Sequence, residues 1–502
     1  MNTSLQDEYR VKYLKKVIMT KIVTREDIVR QEQKLFDQGV NVYSLIERAG
    51  TGLARAVGSA ESVTIMAGGG KNGADGVSAG LVLSDAGISV RIFVIGDKIC
   101  QETKTLLREA ESNGIEIREF DGEFICDEVV LDCLFGIGLN RKVEGIYLDA
   151  IDRINSSGAK IISADIPSGL DADTGKTHGA CVKADITISF SGKKLGYFLQ
   201  DGLDNVGEIV YADATQPNGS ITLVDDVSFP KRARNTHKGS YGKVSIIAGC
   251  PKFVGASILS ERSARACLRS GAGLVKLCVP YSMQTVYEQR VTESTLFYLP
   301  DTDGYILFDK LVLDEIIASS DVIAIGSGLG ISEEVKKIVS YLAKNFDGTL
   351  IIDADGLNSI SCDVSLLKGG KNVVLTPHKG EFARLIGKSI KDINDFVDGK
   401  SFAKEYGVTL HLKGASSLTF KPNGECALTC SGTPAMAKGG SGDVLVGIAA
   451  AFYGMNIPNA MEKASFIHGL AGAKAEKNFG SYGVIASDIV DEIPRVMMER
   501  IS

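Results

Sequence analysis

Short apolar runs alternate with longer stretches of helical periodicity through the first half of the chain. The apolar runs are SVTIMA (62–67), SVRIFVI (89–95), EVVLDCLFG (128–136), KIISADIPSG (160–169) and ADITISFSG (184–192). Strands that are apolar throughout, with helical segments between them, are typical of a parallel sheet covered on both faces. The pattern therefore predicts an α/β domain with a doubly wound parallel sheet.

A second α/β series follows a polar, turn-rich stretch (213–242) that we interpret as a linker running into a second domain. Its apolar runs are KVSIIAGC (243–250), GLVKLCVP (273–280), DVIAIGSGLG (321–330), GTLIIDADGL (348–357), NVVLTPHKGEF (372–382) and VTLHLKGA (408–415). A hairpin pattern, SLTFKPNGECALTC, then leads to a glycine-rich loop and an alanine-rich helical tail. The two series carry different motifs, which predicts a fusion of two different folds.

Composition excludes several classes of function. The 502 residues include 55 Lys and Arg against 62 Asp and Glu, a net charge of −7, so we expect no nucleic-acid partner. Apolar runs of membrane-spanning length and an apolar signal segment are both missing, so we expect neither a membrane span nor secretion. The ten Cys are scattered and the five His lack metal-ligand spacing, which favours a reduced, cytoplasmic protein without zinc.

A glycine loop follows the first strand of the first series. Gly68, Gly70 and Gly73 fit the pattern G-x-G-x-x-G between a predicted strand and a predicted helix. Such a loop offers backbone N–H groups and the positive end of a helix dipole to an anion, as in Rossmann-like domains. Asp97 is a poor candidate for the acidic residue of a dinucleotide dehydrogenase, so that enzyme class is not favoured.

Two aspartates end neighbouring predicted strands. Asp132 precedes the loop Phe135–Leu139, and Asp165 begins Asp-Ile-Pro-Ser-Gly-Leu-Asp. The carboxyl ends of parallel strands line the ligand crevice of an open sheet, so these carboxylates are candidates for cation binding or proton transfer. Capping of the following loops is the alternative.

These motifs resemble the NAD(P)H-hydrate epimerase domain of the YjeF N-terminal family. The matching blocks are Lys71-Asn72-Gly73-Ala74-Asp75-Gly76, Asp132-Cys133-Leu134-Phe135-Gly136-Ile137-Gly138-Leu139 and the intact run from Asp165 to Gly175. Lys71 and Ala74 depart from the family's usual Asn and Gly. The resemblance implies a K⁺ ion held by Asn72, Asp132 and Ser168, with Asp165 as the acid/base at C6 of the hydrated nicotinamide ring. It also implies substrate contacts from Lys71, Asn72, Gly73, Ala74, Asp75, Gly136, Ile137, Gly138, Leu139, Asn140, Arg141, Lys142 and Asp165.

The second half carries a glycine loop of another kind. Gly439-Gly440-Ser441-Gly442-Asp443 stands at the start of an alanine-rich helix, with the aspartate in its first turn. Backbone N–H groups there can stabilise a transferring phosphoryl group, while the carboxylate accepts a proton from an attacking hydroxyl. The loop is not a Walker motif, because G-K-[ST] is missing. Asp353 and Asp355 are candidates to hold Mg²⁺ through water, although Asp353 has a purely structural alternative.

Together with five other blocks, this loop resembles the ribokinase-like fold and, within it, the ADP/ATP-dependent NAD(P)H-hydrate dehydratase (YjeF C-terminal) family. The other blocks are His237–Lys243, Phe253–Ala256, Gly326–Gly330, Asp353–Asn358 and Thr376–Glu381. Ser327 stands where the family often has Pro. The resemblance implies that the hydrated cofactor contacts Ala256, Gly328, His378 and Asp443, and that the nucleotide contacts Lys413, Gly414, Ala415, Ser416, Ser417 and Gly442.

The combined expectation is a two-domain repair enzyme for hydrated NADH and NADPH. Residues 19–222 would epimerise the R and S forms, residues 229–502 would dehydrate the S form with ADP or ATP, and residues 1–18 are an extension of unknown role. Family resemblance implies a homo-oligomer and favours ADP as donor. The alternatives are a vitamin-precursor kinase of ribokinase-like fold and a non-catalytic nucleotide-binding N-terminal module.

Overall fold

The computed structural model describes residues 21–123, 126–212, 215 and 219–501, with the side chains of residues 253–259 left out. The extension predicted at residues 1–18 lies outside the described residues. The chain forms two compact units, which divide between Thr222 and Leu223.

A parallel sheet of seven strands organises the first unit, in the order β4-β3-β2-β5-β6-β7-β9. Its strands are β2 (Ser62–Gly68), β3 (Ser89–Ile95), β4 (Glu116–Glu119), β5 (Val129–Cys133), β6 (Lys160–Ala164), β7 (Ile186–Ser189) and β9 (Glu208–Tyr211). The helices are α1 (Arg25–Asp37), α2 (Val42–Val57), α3 (Lys71–Asp85), α4 (Gln101–Ser112), α5 (Ile146–Ser156) and α6 (Gly202–Asn205).

Helices pack on both faces of this sheet because successive strand residues point to opposite sides. On β2, the buried side chain of Ile65 belongs to the core that contains Leu53 of α2 and Val77 of α3. The next residue, Met66, belongs to the core that contains Ile151 of α5. The predicted doubly wound α/β sheet is therefore confirmed.

Part of the segment interpreted as a linker is a strand. Three short strands, β1 (Lys21–Val23), β8 (Lys193–Lys194) and β10 (Ile221–Leu223), lie outside the seven-stranded sheet. Ile22 pairs antiparallel with Ile221 and parallel with Lys193. Ile22 and Ile221 are fully buried. The linker prediction was wrong at residues 221–223, because burial of one apolar pair is enough to order so short a segment.

The second unit contains a sheet with the strand order β13-β12-β11-β16-β17-β18-β19-β20-β21. Strands β11 (Lys243–Ile247), β12 (Leu274–Pro280), β13 (Thr295–Leu299), β16 (Val322–Ile325), β17 (Thr349–Ile352), β18 (Val373–Leu375) and β19 (Thr409–Leu412) are parallel. The predicted hairpin is confirmed as the antiparallel pair β20 (Ser417–Phe420) and β21 (Cys426–Thr429). A small two-stranded sheet adds β14 (Asp301–Thr302) and β15 (Tyr305–Ile306).

Ten helices of the described chain belong to this unit. They are α7 (Val254–Arg269), α8 (Gln284–Glu288), α9 (Lys310–Ala318), α10 (Glu333–Asn345), α11 (Ala354–Ile360), α12 (Lys379–Ile386), α13 (Asp395–Tyr406), α14 (Ser441–Gly454), α15 (Ala460–Gly483) and α16 (Ala486–Met498). None of the helices in the described ranges is long and apolar enough to cross a membrane.

Helix α14 forms the centre of the second unit's core. Every residue from Val444 to Phe452 is buried, as expected of a helix that is apolar on all sides, and only residues near the two ends of the helix are partly exposed. Gly447 lets α14 approach α7 closely: a Cβ atom added there would lie 2.2 Å from the carbonyl oxygen of Ser263. The catalytic loop predicted at the start of α14 is therefore attached to a rigid, fully packed helix.

Candidate functional sites

Glycines let the first unit's loop pass close to neighbouring backbone. Strand β2 ends at Gly68, and α3 begins at Lys71. An added Cβ would lie 2.1 Å from the Leu134 oxygen at Gly68 and 1.9 Å from the Lys98 oxygen at Gly69. At Gly73 it would lie 1.9 Å from the oxygen of Gly68. The predicted strand–loop–helix arrangement is confirmed, and side chains at these positions would open it.

A buried polar cluster lies at the ends of β5 and β6. The Oδ2 atom of Asp132 accepts hydrogen bonds from Ser163 Oγ at 2.7 Å and from the backbone N–H of Ser168 at 2.9 Å. Ser168 Oγ accepts from the N–H of Phe135 at 2.9 Å. The amide nitrogen of Asn72 is buried without a hydrogen-bond partner. Burial raises the pKa of Asp132, although these hydrogen bonds oppose the shift.

Asp165 follows β6 in a strained backbone conformation, with φ of 66°. Its carboxylate accepts hydrogen bonds from Lys194 Nζ at 2.7 Å and from the N–H of Phe190 at 3.3 Å. The hydroxyl of Tyr197 donates to the backbone oxygen of Asp165. Three contacts from one segment, 190–197, therefore fix both the backbone and the side chain of this aspartate.

Lys194 is a buried cation that the sequence did not single out. Its side chain is fully buried, and Nζ also donates to Ser189 Oγ at 3.2 Å and to the Gly192 oxygen at 3.3 Å. Burial acts to lower the pKa of Lys194, but the adjacent Asp165 outweighs it and the pKa is raised. Burial raises the pKa of Tyr197 to about 12. Lys194 therefore stays charged, and Tyr197 stays a neutral donor.

Asp165 and Asn72 line a cavity of about 550 Å³, whereas Asp132, Ser168, Lys194 and Tyr197 lie behind its lining. Of the predicted substrate contacts, its lining includes Lys71, Asn72, Asp75, Asp165 and the 136–141 loop. Glu32 of α1 also lines it and was not predicted. Gly73 and Ala74 are buried and do not line the cavity, and Lys142 is exposed in an ion pair with Glu144.

Three carboxyl groups line the cavity, those of Glu32, Asp75 and Asp165. Burial raises the pKa of Asp75 well above its ordinary value, and the charges of Asp165 and Glu32 raise it further. Burial also raises the pKa of Glu32, against the opposing effect of Lys71. Asp75 thus lies in the same cavity as Asp165, which the buried cation Lys194 holds by an ion pair.

In the second unit, the glycine loop turns directly into α14. Gly440 has φ of 92°, a left-handed conformation that favours glycine, and no side chain caps the helix. The N–H of Ser441 donates to the Lys438 oxygen at 3.4 Å and that of Asp443 to its own carboxylate, so the N–H of Gly442 is the first-turn group best placed to bind an anion. The backbone oxygen of Asp443 accepts from Ser263 Oγ at 2.6 Å.

The Asp443 carboxyl is tuned by its surroundings. Burial is the largest influence and raises its pKa to about 6. A hydrogen bond from Ser327 opposes this shift, Asp353 adds to it and Lys413 opposes it. Asp443 is therefore a base whose proton affinity is close to that needed near neutral pH.

A second buried lysine–aspartate pair lies beside this base. Lys413 Nζ donates to Asp353 Oδ1 at 2.7 Å. A Cβ atom added at Gly442 would lie 3.3 Å from Lys413 Nζ, so the pair adjoins the glycine loop. Burial opposes the charge of Lys413, but Asp353 and Glu381 raise its pKa. The ion pair with Lys413 is consistent with the structural alternative for Asp353.

The remaining predicted contacts are arranged around this pair. His378 forms a backbone bridge with Lys413, and its Nδ1 accepts from the N–H of Gly380 at 3.0 Å. Ser416 Oγ is buried without a hydrogen-bond partner, next to the exposed Gly414 and Ala415. The last two predicted contacts are known by their chain positions: Ser417 is the first residue of β20, and Gly328 follows Ser327 in the sequence. The side chain of Ala256 lies outside the described residues.

Sequence reasoning missed His468 and His411. His468 Nε2 lies 3.2 Å from the hydroxyl of Ser441 at the start of α14. Burial lowers the pKa of His468 to about 4 and that of His411 to about 3, and Lys413 adds to both shifts. Both imidazoles are therefore neutral. His411 lies in a strand pattern two residues before the predicted contact Lys413, whereas His468 stands next to no motif, so only the packing brings His468 to the loop.

The metal ions implied by the family resemblance, K⁺ and Mg²⁺, would have to be held without a cluster of acidic side chains. Within the described ranges, no group of three or more His, Cys, Asp or Glu side chains is arranged to hold a metal ion. Asp355 Oδ2 accepts from the N–H of Gly330 at 2.9 Å. The side-chain oxygens of Asp132 and Ser168 and the Oδ1 atom of Asn72 are the ligand type that suits a hard cation such as K⁺, whereas the unpartnered Nδ2 of Asn72 is a donor and cannot be a ligand.

Comparison with known proteins covers both units. Residues 42–196 match the family described as YjeF-related protein N-terminus, and residues 244–495 match the family described as NAD(P)H-hydrate dehydratase. A bifunctional NAD(P)H-hydrate repair enzyme Nnr from Thermofilum pendens is 34% identical over 500 residues, 93% of this chain and 95% of the relative. The chain belongs to the family of bifunctional NAD(P)H-hydrate repair enzymes.

Further similarities agree with this family. The enzyme of the same name from Dictyoglomus turgidum is 34% identical over 513 residues, 95% of this chain and 98% of that protein. The crystal structure of ADP/ATP-dependent NAD(P)H-hydrate dehydratase from Bacillus subtilis, co-crystallised with ATP/Mg²⁺, has a TM-score of 0.46 and 26% identity. The match covers 54% of this chain and 94% of the Bacillus chain. Family membership over both halves confirms the predicted pairing of a Rossmann-like with a ribokinase-like domain.

The Lys194–Asp165 pair makes a prediction about stability. Asp165→Asn leaves a fully buried ammonium without its carboxylate, so we expect the first unit to lose about 3–5 kcal/mol of unfolding free energy. Adding Lys194→Met removes the stranded charge and should restore part of the loss. Urea denaturation measures both variants. Asp204→Asn, which changes an exposed aspartate, is the control. If the double variant loses as much unfolding free energy as the two single variants added together, the buried-pair account is contradicted.

Proposed function

We propose that this chain repairs hydrated NADH and NADPH by two reactions. Residues 19–222 epimerise the R and S forms at C6 of the hydrated ring. Residues 229–502 dehydrate the S form with ADP or ATP. One observation supports this most directly: each unit holds a carboxylate close to a glycine-containing loop and to a lysine. Asp165 is paired with the buried Lys194, and Asp443 lies next to the Lys413–Asp353 pair.

In the first unit, Asp165 and Asp75 act as the acid/base pair. C6 of the substrate carries a hydroxyl group and the ring nitrogen. Asp165 takes the hydroxyl proton as the C6–N1 bond opens to an aldehyde, and Asp75 gives its proton to N1. Rotation about the C5–C6 bond and reversal of the two proton transfers close the ring with C6 inverted. General acid–base catalysis of this kind contributes about 10²–10⁴-fold.

Asn72, Asp132 and Ser168 are the residues that would hold K⁺. The fully buried carboxylate of Asp132, next to the hydroxyl of Ser168, supports this assignment, and Asn72 would contribute its Oδ1 atom. The ion would supply positive charge that stabilises the anionic groups of the substrate near the glycine loop. Lys71 and the 136–141 loop, which line the same cavity, bind and orient the substrate.

In the second unit, Asp443 takes the proton of the C6 hydroxyl, and the hydroxyl oxygen attacks the terminal phosphorus of the nucleotide and displaces AMP from ADP, or ADP from ATP. The N–H of Gly442, in the first turn of α14, stabilises charge on the transferring phosphoryl group. The lone pair of N1 then expels phosphate, and loss of a proton from C5 restores the dihydropyridine. Phosphorylation is needed because hydroxide is a poor leaving group.

Lys413, Gly414, Ala415, Ser416, Ser417 and Gly442 bind the nucleotide in this proposal, and Ala256, Gly328 and His378 contact the hydrated ring. Because Asp353 is occupied by Lys413, Asp355 is the better placed carboxylate for a Mg²⁺ ion that enters with the nucleotide. ADP is our expected donor. A homo-oligomer in the cytoplasm remains the expectation from family resemblance.

The two activities should separate in variants. Starting from a mixture of R and S hydrate with K⁺, Mg²⁺ and ADP, Asp165→Ala should restore dihydronicotinamide absorbance only until the S form is consumed. Asp443→Asn should restore none, while still interconverting the epimers. The control Asp204→Ala should match the wild type. Full recovery from both epimers by Asp165→Ala would rule out the assigned base.

Ser327 makes a prediction about the pH dependence of dehydration. Asp443 must be deprotonated to act as base, so the rate should fall about tenfold per pH unit below its pKa of about 6. Ser327→Ala removes a hydrogen bond that favours the charged form, so the acidic limb should move to higher pH. Ser327→Thr keeps the hydroxyl and should leave the limb in place. An unchanged limb in Ser327→Ala would contradict this role.

A further inference from the structure

A separate cavity lies in the second unit, away from the proposed dehydratase residues. Its volume is about 240 Å³. Helix α7 contributes Arg262 and Arg265, the segment after α8 contributes Arg290, and the first turns of α16 contribute Ser487. We refer to it as the arginine cavity. None of the residues assigned to the two reactions lines it.

Three guanidinium groups and the carboxylate of Glu261 line the cavity. Arg265 forms an ion pair with Asp491 at 2.8 Å. Within the described part of the chain, Arg262 and Arg290 have no carboxylate within ion-pair distance, although Arg262 is half-buried. Burial and the nearby charge of Glu293 raise the pKa of Glu261, while Arg265 and Arg262 oppose the shift.

The shape and the donors suit a phosphate group. Guanidinium groups present planar pairs of donors that match phosphate oxygens. Ser487 adds a hydroxyl in the first turn of the 13-residue helix α16, where negative charge is favoured. The volume accommodates a phosphate or diphosphate, whereas pockets that enclose a whole drug-sized molecule measure about 300–1,000 Å³.

We propose that the arginine cavity binds a phosphate dianion, either free inorganic phosphate or the terminal phosphate of a nucleotide. The proposal extends the proposed function, because the dehydration releases phosphate. Phosphate released by the dehydration would therefore bind to the same unit that catalyses the reaction, and occupancy of the site would rise as this product accumulates.

Helix α7 connects this cavity to the proposed base. Ser263 stands between Arg262 and Arg265 on α7, and its hydroxyl donates to the backbone oxygen of Asp443 at 2.6 Å. The contact between Ser263 and Gly447 leaves no room for a Cβ atom, so α7 and α14 are tightly packed here. A shift of α7 towards a bound anion would alter the position of Asp443. Phosphate binding is thus coupled to the dehydration rate.

The binding test uses the full-length protein without hydrated cofactor, so its outcome does not depend on either reaction. Inorganic phosphate, and separately ADP, is titrated by calorimetry into the wild type, Arg262→Gln, Arg290→Gln and the control Arg269→Gln. Arg269 is exposed on the same helix and does not line the cavity. We expect one phosphate-binding event to weaken about tenfold or more in the two cavity variants and to persist in Arg269→Gln. Equal phosphate binding by all four proteins would overturn the site.

Two further outcomes complete the test. If ADP, but not inorganic phosphate, loses a binding event in the cavity variants, the ligand is the nucleotide's terminal phosphate. The dehydration rate of the S hydrate is then measured against added phosphate. A phosphate dependence that is present in the wild type and Arg269→Gln but lost in Arg262→Gln supports the coupling. The same dependence in all three proteins contradicts it.

Discussion

A buried lysine paired with a strand-end aspartate fixes the electrostatics of each site. Lys194 lies 2.7 Å from Asp165, and Lys413 lies 2.7 Å from Asp353. A buried charge is costly unless it is paired, so each pair holds its neighbours in one arrangement. In the first unit the paired aspartate is itself the proposed base. In the second unit the pair instead lies beside the base, and the Lys413 ammonium opposes the rise in the pKa of Asp443 caused by burial.

Backbone packing supports these pairs. Parallel strands deliver Asp132, Asp165 and Asp353 to the carboxyl edge of their sheets, where short loops bring backbone atoms into contact. Gly68 and Gly73 permit this approach in the first unit, and Gly440 turns the chain into α14 in the second. In both units, strands and helices place the charged groups, and glycine loops leave room for an anionic substrate, although the proposed reactions differ.

Much of this arrangement is predictable from sequence because it depends on local patterns. Each apolar run that we interpreted as a strand contains one, and the hairpin follows from its turn residues. The polar edge strand β4 (EIRE) and the three-residue strand β10 lack that pattern and were not predicted. Lys194 and His468 were missed because each gains its role from a partner distant in sequence, 29 and 27 residues away. Lys194 stands in the polar run Ser-Gly-Lys-Lys-Leu-Gly, so no local pattern indicates that it is fully buried.

The central claim is that one chain performs epimerisation and nucleotide-driven dehydration. The most direct measurement incubates the wild-type protein with a mixture of R and S NADH hydrate, K⁺ and Mg²⁺, and follows dihydronicotinamide absorbance with ADP, with ATP and without nucleotide. The account predicts complete recovery of both epimers, only with nucleotide, and with one phosphate released per NADH formed. Recovery that stops at the S form would contradict the epimerase assignment. A stable phosphorylated product without NADH would contradict the dehydratase assignment.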